Sequence, residues 1–261
     1  MFNLFSQKPT IQTTKVWVTP ACQVYTIYET LARSGHCLIA GATGSGKSTV
    51  MEGMLYTTIA VNSPARAQFI LIDLKKVALR HLKNLPHVVS YADTIVTAEE
   101  ALRMAARRMD ARFDQMQRQG VREWQGADLY IVVDECGDLL TSGRKKALTE
   151  LIQRIGMLGR AAKVHLWLGS QVCTRDIISS AIKANVSTRI ALRTATSQES
   201  RNICGVSGAE QFPSPIQAGK ALGLIRNGAD IKTWNMPRYT DEQISFLLDW
   251  WTDARKSTIA A

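Results

Sequence analysis

The chain has 261 residues, is 46% hydrophobic and 21% charged, and sets 32 Lys and Arg against 22 Asp and Glu for a formal net charge of +10 at pH 7. That length suits one large α/β domain with its own core, no apolar run approaches the ~18 residues of a membrane span, and the basic excess suggests a polyanionic partner. Cys22, Cys37, Cys136, Cys173 and Cys204 form no Cys-x-x-Cys pair, and His36, His81, His87 and His165 show no ligand spacing, which excludes a disulfide framework and a zinc site and favours a reduced, cytoplasmic compartment.

Residues 1–14 are polar and irregular, without a secretory leader, and are expected to form a loose arm; a single domain is expected over 15–254 and a loose tail over 255–261. An edge strand is predicted at Lys15-Val16-Trp17-Val18-Thr19. After Pro20, the spacing of Val24, Ile27, Tyr28 and Leu31 predicts a helix ending at Gly35. His36-Cys37-Leu38-Ile39-Ala40 then reads as a buried strand, and Met51, Met54, Leu55 and Ile59 as one stripe of the helix that opens at Ser48.

Between them, residues 41–49 fit Gly-x-x-x-x-Gly-Lys-[Ser/Thr], with Gly41, Thr43, Gly44, Ser45, Gly46, Lys47, Ser48 and Thr49 as the expected nucleotide-binding loop. The chemistry follows from the backbone. Glycines let successive N–H groups turn inward on the β-phosphate, and the helix N-terminus adds partial positive charge. Lys47 would reach the β- and γ-phosphates and the Ser48 hydroxyl would ligate Mg²⁺.

Asn62-Ser63-Pro64 interrupts the chain before a second buried strand, Gln68-Phe69-Ile70-Leu71-Ile72-Asp73, whose terminal acid fits either a functional group or a turn aspartate. A long helix is predicted from Thr97 to Gln119, with Thr97 and Glu100 as its capping box, Gly120 as its stop, and Arg103, Arg107, Arg108, Arg112 and Arg118 on its solvent face. Leu129-Tyr130-Ile131-Val132-Val133-Asp134-Glu135 is an apolar strand ending in two acids. Beside a phosphate loop, Asp134 would hold Mg²⁺ and Glu135 would polarise the attacking water, which favours hydrolysis of ATP over transfer to a small acceptor. Arg144 to Arg160 reads as a helix. Val164 to Gln171 reads as a strand whose terminal amide could sense the γ-phosphate or orient water. A short helix from Ile177 to Asn185, a strand from Thr188 to Thr194, and a helix from Ser197 to Cys204 follow. Asn227-Gly228 marks a hairpin turn within Lys220 to Trp234, and Thr240 with Gln243 caps a last helix.

With these pieces in order, the chain resembles the motor domain of FtsK/SpoIIIE-type DNA translocases from about Leu31 to Trp234. The resemblance rests on residues 36–48, on Ile72-Asp73-Leu74-Lys75 with Leu85-Pro86-His87-Val88, on Ile131-Val132-Val133-Asp134-Glu135, on Gly159-Arg160-Ala161-Ala162-Lys163-Val164-His165-Leu166 with Ser170-Gln171, and on residues 182–191. It implies an α/β, RecA-like P-loop NTPase core with a mainly parallel sheet flanked by helices, extended here by a C-terminal β-hairpin and helix. It also implies a hexameric ring that pumps double-stranded DNA by ATP hydrolysis, with each site completed by an arginine of the neighbouring copy.

By position that arginine is Arg160, with Arg189 and Arg201 as weaker candidates; catalytic roles fall to Lys47, Glu135, Arg160 and Gln171. DNA-facing loops would carry Arg175 and Lys183, and Arg144, Lys145 and Lys146. Leu74 replaces a proline usual in the family, and Val172 follows Gln171 where arginine is common. The family's membrane anchor, preceding domain and winged-helix module have no counterpart, implying a minimal motor for DNA segregation, mobile-element or conjugative transfer, or genome packaging. The same family includes motors of type VII protein secretion, the alternative assignment.

Overall fold

The computed structural model describes residues 20–172, 174, 178–215 and 221–259, without the side chains of 20–26 and 252–259. In chain order the elements are α1 (Pro20–Arg33), β1 (Cys37–Ala40), α2 (Lys47–Val61), β2 (Ala67–Ile72), β3 (Val88–Ala92), α3 (Ile95–Gln119), β4 (Asp128–Val133), α4 (Cys136–Leu140), α5 (Lys145–Leu158), β5 (Val164–Ser170), α6 (Ser180–Asn185), β6 (Thr188–Ala191), α7 (Ser197–Cys204), β7 (Ala221–Asn227), β8 (Asp230–Met236) and α8 (Asp241–Ile259).

The strands form one sheet in the order β3-β2-β4-β5-β1-β6-β7-β8. β1 to β6 pair in parallel, and the hairpin β7–β8 closes one side antiparallel. Strands buried on both faces must be apolar throughout, and that is why β1, β2, β4 and β5 were legible as continuous runs. Alternate residues feed two cores. Leu38 and Ala40 of β1 enter the layer with Leu102, Met109, Ile152 and Ile155 of α3 and α5, whereas Cys37 and Ile39 enter the layer with Met51, Met54 and Leu55 of α2. In the second layer Trp167 is fully buried, its ring centroid 4.7 Å from that of Tyr130.

β1 lies between β5 and β6, and the crevice beyond its C-terminal end is where open α/β sheets bind ligands. The phosphate loop leaves β1 at that edge.

Several expectations shift. The capping box of α3 is Thr94 with Thr97, not Thr97 with Glu100: extended Thr94 accepts from the Thr97 N–H, while the Thr97 hydroxyl accepts from the Thr94 N–H, so the helix starts two residues earlier. Asn227 pairs with Asp230, making the tight turn Gly228-Ala229, with Gly228 at φ 62°. β6 ends at Ala191 rather than Thr194, and β3 and α4 have no counterpart in the sequence reading. α8 runs to Ile259, into the expected tail. The arm and the edge strand at 15–19 lie outside the described residues. The cap of α8 is as expected: the Thr240 N–H donates to Gln243 Oε1 at 2.9 Å and the Gln243 N–H to Thr240 Oγ1 at 3.3 Å. Among the described residues no helix is long and apolar enough to cross a membrane.

Candidate active site

The loop from Gly41 to Gly46 is shaped by positions that a side chain would spoil. Gly44 and Gly46 sit at φ 76° and 95°, where glycine is favoured, and a Cβ on Gly41 would lie 2.7 Å from Ser45 Oγ and 2.8 Å from Leu192 Cβ. The loop opens onto a cavity of about 540 Å³ lined by Thr43, Lys47, Ser48, Thr49, Gln171 and Arg238 among others, within the range of ligand pockets. In the same loop Ser45 Oγ is buried, with no hydrogen-bond partner among the described residues. This cradle fits a nucleotide, and Ser48 and Asp134 are suitable oxygen donors for Mg²⁺.

The acids of β4 arrive at the same place. Lys47 Nζ donates to Asp134 Oδ1 at 2.7 Å and to the Asp134 carbonyl at 2.6 Å, and both residues are buried. β4 and β5 can approach this closely because Gly169 has no side chain; a Cβ there would meet the Asp134 carbonyl at 2.3 Å. Glu135 starts α4, and its Oε1 accepts from the N–H of Gly137 at 3.3 Å, the Ser170 hydroxyl at 3.2 Å and the N–H of Gln171 at 3.1 Å. Lys75 Nζ stands 3.8 Å from its Oε2. Gln171, at the tip of β5 as expected, accepts from the Thr43 hydroxyl at 3.3 Å, joining the amide to the phosphate loop.

Asp73 takes the turn role. It is fully buried, its Oδ2 accepts from the Leu79 N–H at 2.8 Å, and it braces the loop that carries Lys75. Lys75 and Ser170 stand in segments that carry the family resemblance but were given no role, and Arg238 was not named, because a single polar residue at a strand end or hairpin exit carries no pattern of its own.

Arg160 lies elsewhere. It follows α5 and precedes β5, at the N-terminal edge of the sheet, exposed to solvent and away from the phosphate loop of its own chain. Nearby, His36 accepts from the Leu166 N–H through Nδ1 at 3.0 Å, and burial, His165 and Arg160 hold its pKa down to about 4.

The basic candidates separate into two places. Arg144 Nη1 pairs with Glu99 Oε2 at 2.6 Å, with Arg103 on the other carboxylate oxygen, beside Lys145 and Lys146 at the start of α5. Lys183 instead joins Arg189 and Arg201 around a separate open cavity of about 460 Å³ between α6 and α7. Arg175 lies outside the described residues. The row of arginines on α3 is not uniformly solvated: Arg112 is buried, and Arg108 reaches Gln68.

The model of the FtsK/SpoIIIE family matches residues 20–206. Among curated proteins, the chain is similar to DNA translocase FtsK of Borreliella burgdorferi, 34% identical over 247 residues that cover 82% of this chain and 31% of that protein. It is also similar to DNA translocase FtsK of Chlorobaculum tepidum, 36% identical over 207 residues, covering 71% and 26%. The chain thus spans under a third of the length of these relatives. Among solved structures, the pCW3 conjugation coupling protein TcpA, in its monomer form with ATPγS, matches with a TM-score of 0.71 at 23% identity, covering 86% of this chain and 66% of that one. The cytoplasmic domain of the type VII secretion ATPase EccC of Thermomonospora curvata matches with a TM-score of 0.69 at 24% identity, covering 83% and 28%. The shared fold is that of a P-loop ATPase.

Proposed function

The chain belongs to the FtsK/SpoIIIE family, and we propose that it is an ATP-hydrolysing motor that moves double-stranded DNA through a hexameric ring of identical copies in the cytoplasm. The observation that carries this proposal is the convergence of Lys47, Asp134, Glu135 and Gln171 on one glycine cradle. Ser48 and Asp134 would hold Mg²⁺, which when bound offsets charge on the β- and γ-phosphates. Lys47 exchanges its bond to Asp134 for the phosphates. Glu135 polarises the attacking water while Gln171, already linked to Thr43, orients the transferring group. Arg160 cannot serve the site of its own chain from the opposite edge of the sheet, so it is assigned to a neighbour's.

Kinship at 34–36% identity with DNA translocases supports DNA as the cargo, and the cavity lined by Lys183, Arg189 and Arg201 suits backbone phosphates. The likeness to the secretion ATPase is one of fold alone and does not favour a protein cargo. The test is ATP hydrolysis with and without linear duplex DNA, with the oligomeric state measured in the same sample. Stimulation by duplex on ring-sized material is expected. Indifference to DNA in properly formed rings would refute a DNA cargo.

A further inference from the structure

The turn that carries Arg160 is fixed far more tightly than a connection at a sheet edge requires. Gly159 has no room for a side chain, since a Cβ there would lie 2.3 Å from the Val164 carbonyl. The Val164 N–H donates to the Gly159 carbonyl at 2.9 Å, and the Lys163 N–H donates to that of Arg160 at 3.1 Å. Lys163 itself sits at φ 49°, a conformation that a non-glycine residue keeps only where its surroundings impose it.

Those surroundings come from α3 and the segment after it. Arg112 Nη1 donates to the carbonyls of Ala162 at 2.7 Å and Lys163 at 3.0 Å. Its guanidinium lies 5.1 Å from the centre of the Trp124 ring, and the main-chain N–H of Trp124 donates to the Ala161 carbonyl at 2.9 Å. Arg112 is only 8% exposed, and burial draws its pKa down to about 10, so it keeps its charge at neutral pH. Among the described residues no carboxylate lies within ion-pair distance of it. A buried cation spent on main-chain carbonyls of one turn fixes that turn's geometry. Arg160 then projects from a set frame beside Met157 and Leu158, which are 66% and 44% exposed.

We infer that Arg112 is a positioning residue for Arg160, holding the 159–163 turn so that the exposed guanidinium meets the phosphates bound by a second copy of this chain. The inference rests on the assignment of Arg160 to a neighbour's site. Its partner is the nucleotide cradle of that second copy, where a cation held in place stabilises charge on the transferring phosphate without reorganising first.

The experiment mixes subunits. DNA-stimulated hydrolysis is measured for R112M, R160A and K47A, each alone and then R112M or R160A mixed with K47A. Alone, R112M is expected to lose at least tenfold in kcat with little change in the KM for ATP. K47A copies lack a working cradle but carry an ordered Arg160, so they are expected to restore activity to R112M copies as they do to R160A copies. Wild-type kcat in R112M would overturn the inference, as would rescue of R160A without rescue of R112M. Failure to rescue R160A as well would remove the trans-acting assignment, and this inference with it. Should R112M fail to fold, W124A, which removes the stacking platform, decides the same comparison in the same mixtures.

Discussion

The two edges of the sheet handle charge in opposite ways. At the C-terminal edge Lys47 is buried against Asp134, and Glu135 is occupied by the Ser170 hydroxyl and the Gln171 N–H, beside a cavity of about 540 Å³. At the N-terminal edge the buried cation, Arg112, grips backbone, and the next one, Arg160, faces solvent. One edge has ligands waiting and its charges held in reserve. The other has a cation whose side chain has no hydrogen-bond or ion-pair partner among the described residues. Under the proposed function the two edges complement each other when copies meet.

That contrast breaks most sharply at Arg160. R160A is expected to lower DNA-stimulated kcat by about 10³–10⁵-fold, the range for a trans-acting arginine, while nucleotide binding measured with a fluorescent ATP analogue stays near wild type. A loss of binding instead would place Arg160 in its own chain's cradle. At the other edge, E135Q is expected to cost about 10²–10⁴-fold in kcat. The substituted amide keeps an oxygen for the N–H groups of Gly137 and Gln171, so the fold and ATP affinity should survive; an unchanged rate would dismiss Glu135 as the base.

The N-terminal edge has a further signature in acid. His36 is held neutral by burial, with a pKa of about 4 in the fold against an ordinary value of 6.5. The unfolded chain therefore binds the extra proton first. The stability that His36 contributes is complete above pH 6.5 and is lost as the pH falls toward 4, by about 3 kcal/mol across that window. Urea unfolding of wild type and H36N, whose side-chain oxygen can replace Nδ1, should diverge in slope against pH there and run parallel above pH 7. Parallel curves throughout would mean that His36 is solvated. The smallest expected effect belongs to the cavity between α6 and α7: K183A should reduce the log–log salt slope of duplex binding by about 0.9, one phosphate's worth. An unchanged slope would move the DNA elsewhere.

Much of the C-terminal edge was legible because its chemistry is local. Lys47 and Ser48 sit in a contiguous motif, and Asp134, Glu135 and Gln171 stand at the ends of apolar runs long enough to read as buried strands, which puts them at the edge where the motif lies. β3 was not legible: Val88-Val89-Ser90-Tyr91-Ala92 is a half-buried edge strand, too short and mixed to show a period. Arg112 was misplaced on the solvent face of α3 because helical spacing shows which residues share a stripe, and cannot show that the turn before β5 packs over it. The one-residue shift in the hairpin turn and the three-residue shift in the cap of α3, from Thr97 to Thr94, have a common origin. Each was settled by pairing, Asn227 with Asp230 and Thr94 with Thr97, between residues that compete with neighbours of nearly equal propensity.

The central claim is that hydrolysis needs two copies, one giving the cradle and one giving Arg160. The most direct measurement is the rate of ATP hydrolysis per chain across a dilution series with linear duplex DNA, with molecular mass determined at each concentration. The rate per chain is expected to collapse as assemblies dissociate, in step with the mass. A rate per chain that holds constant down to concentrations where only single chains remain would contradict the account.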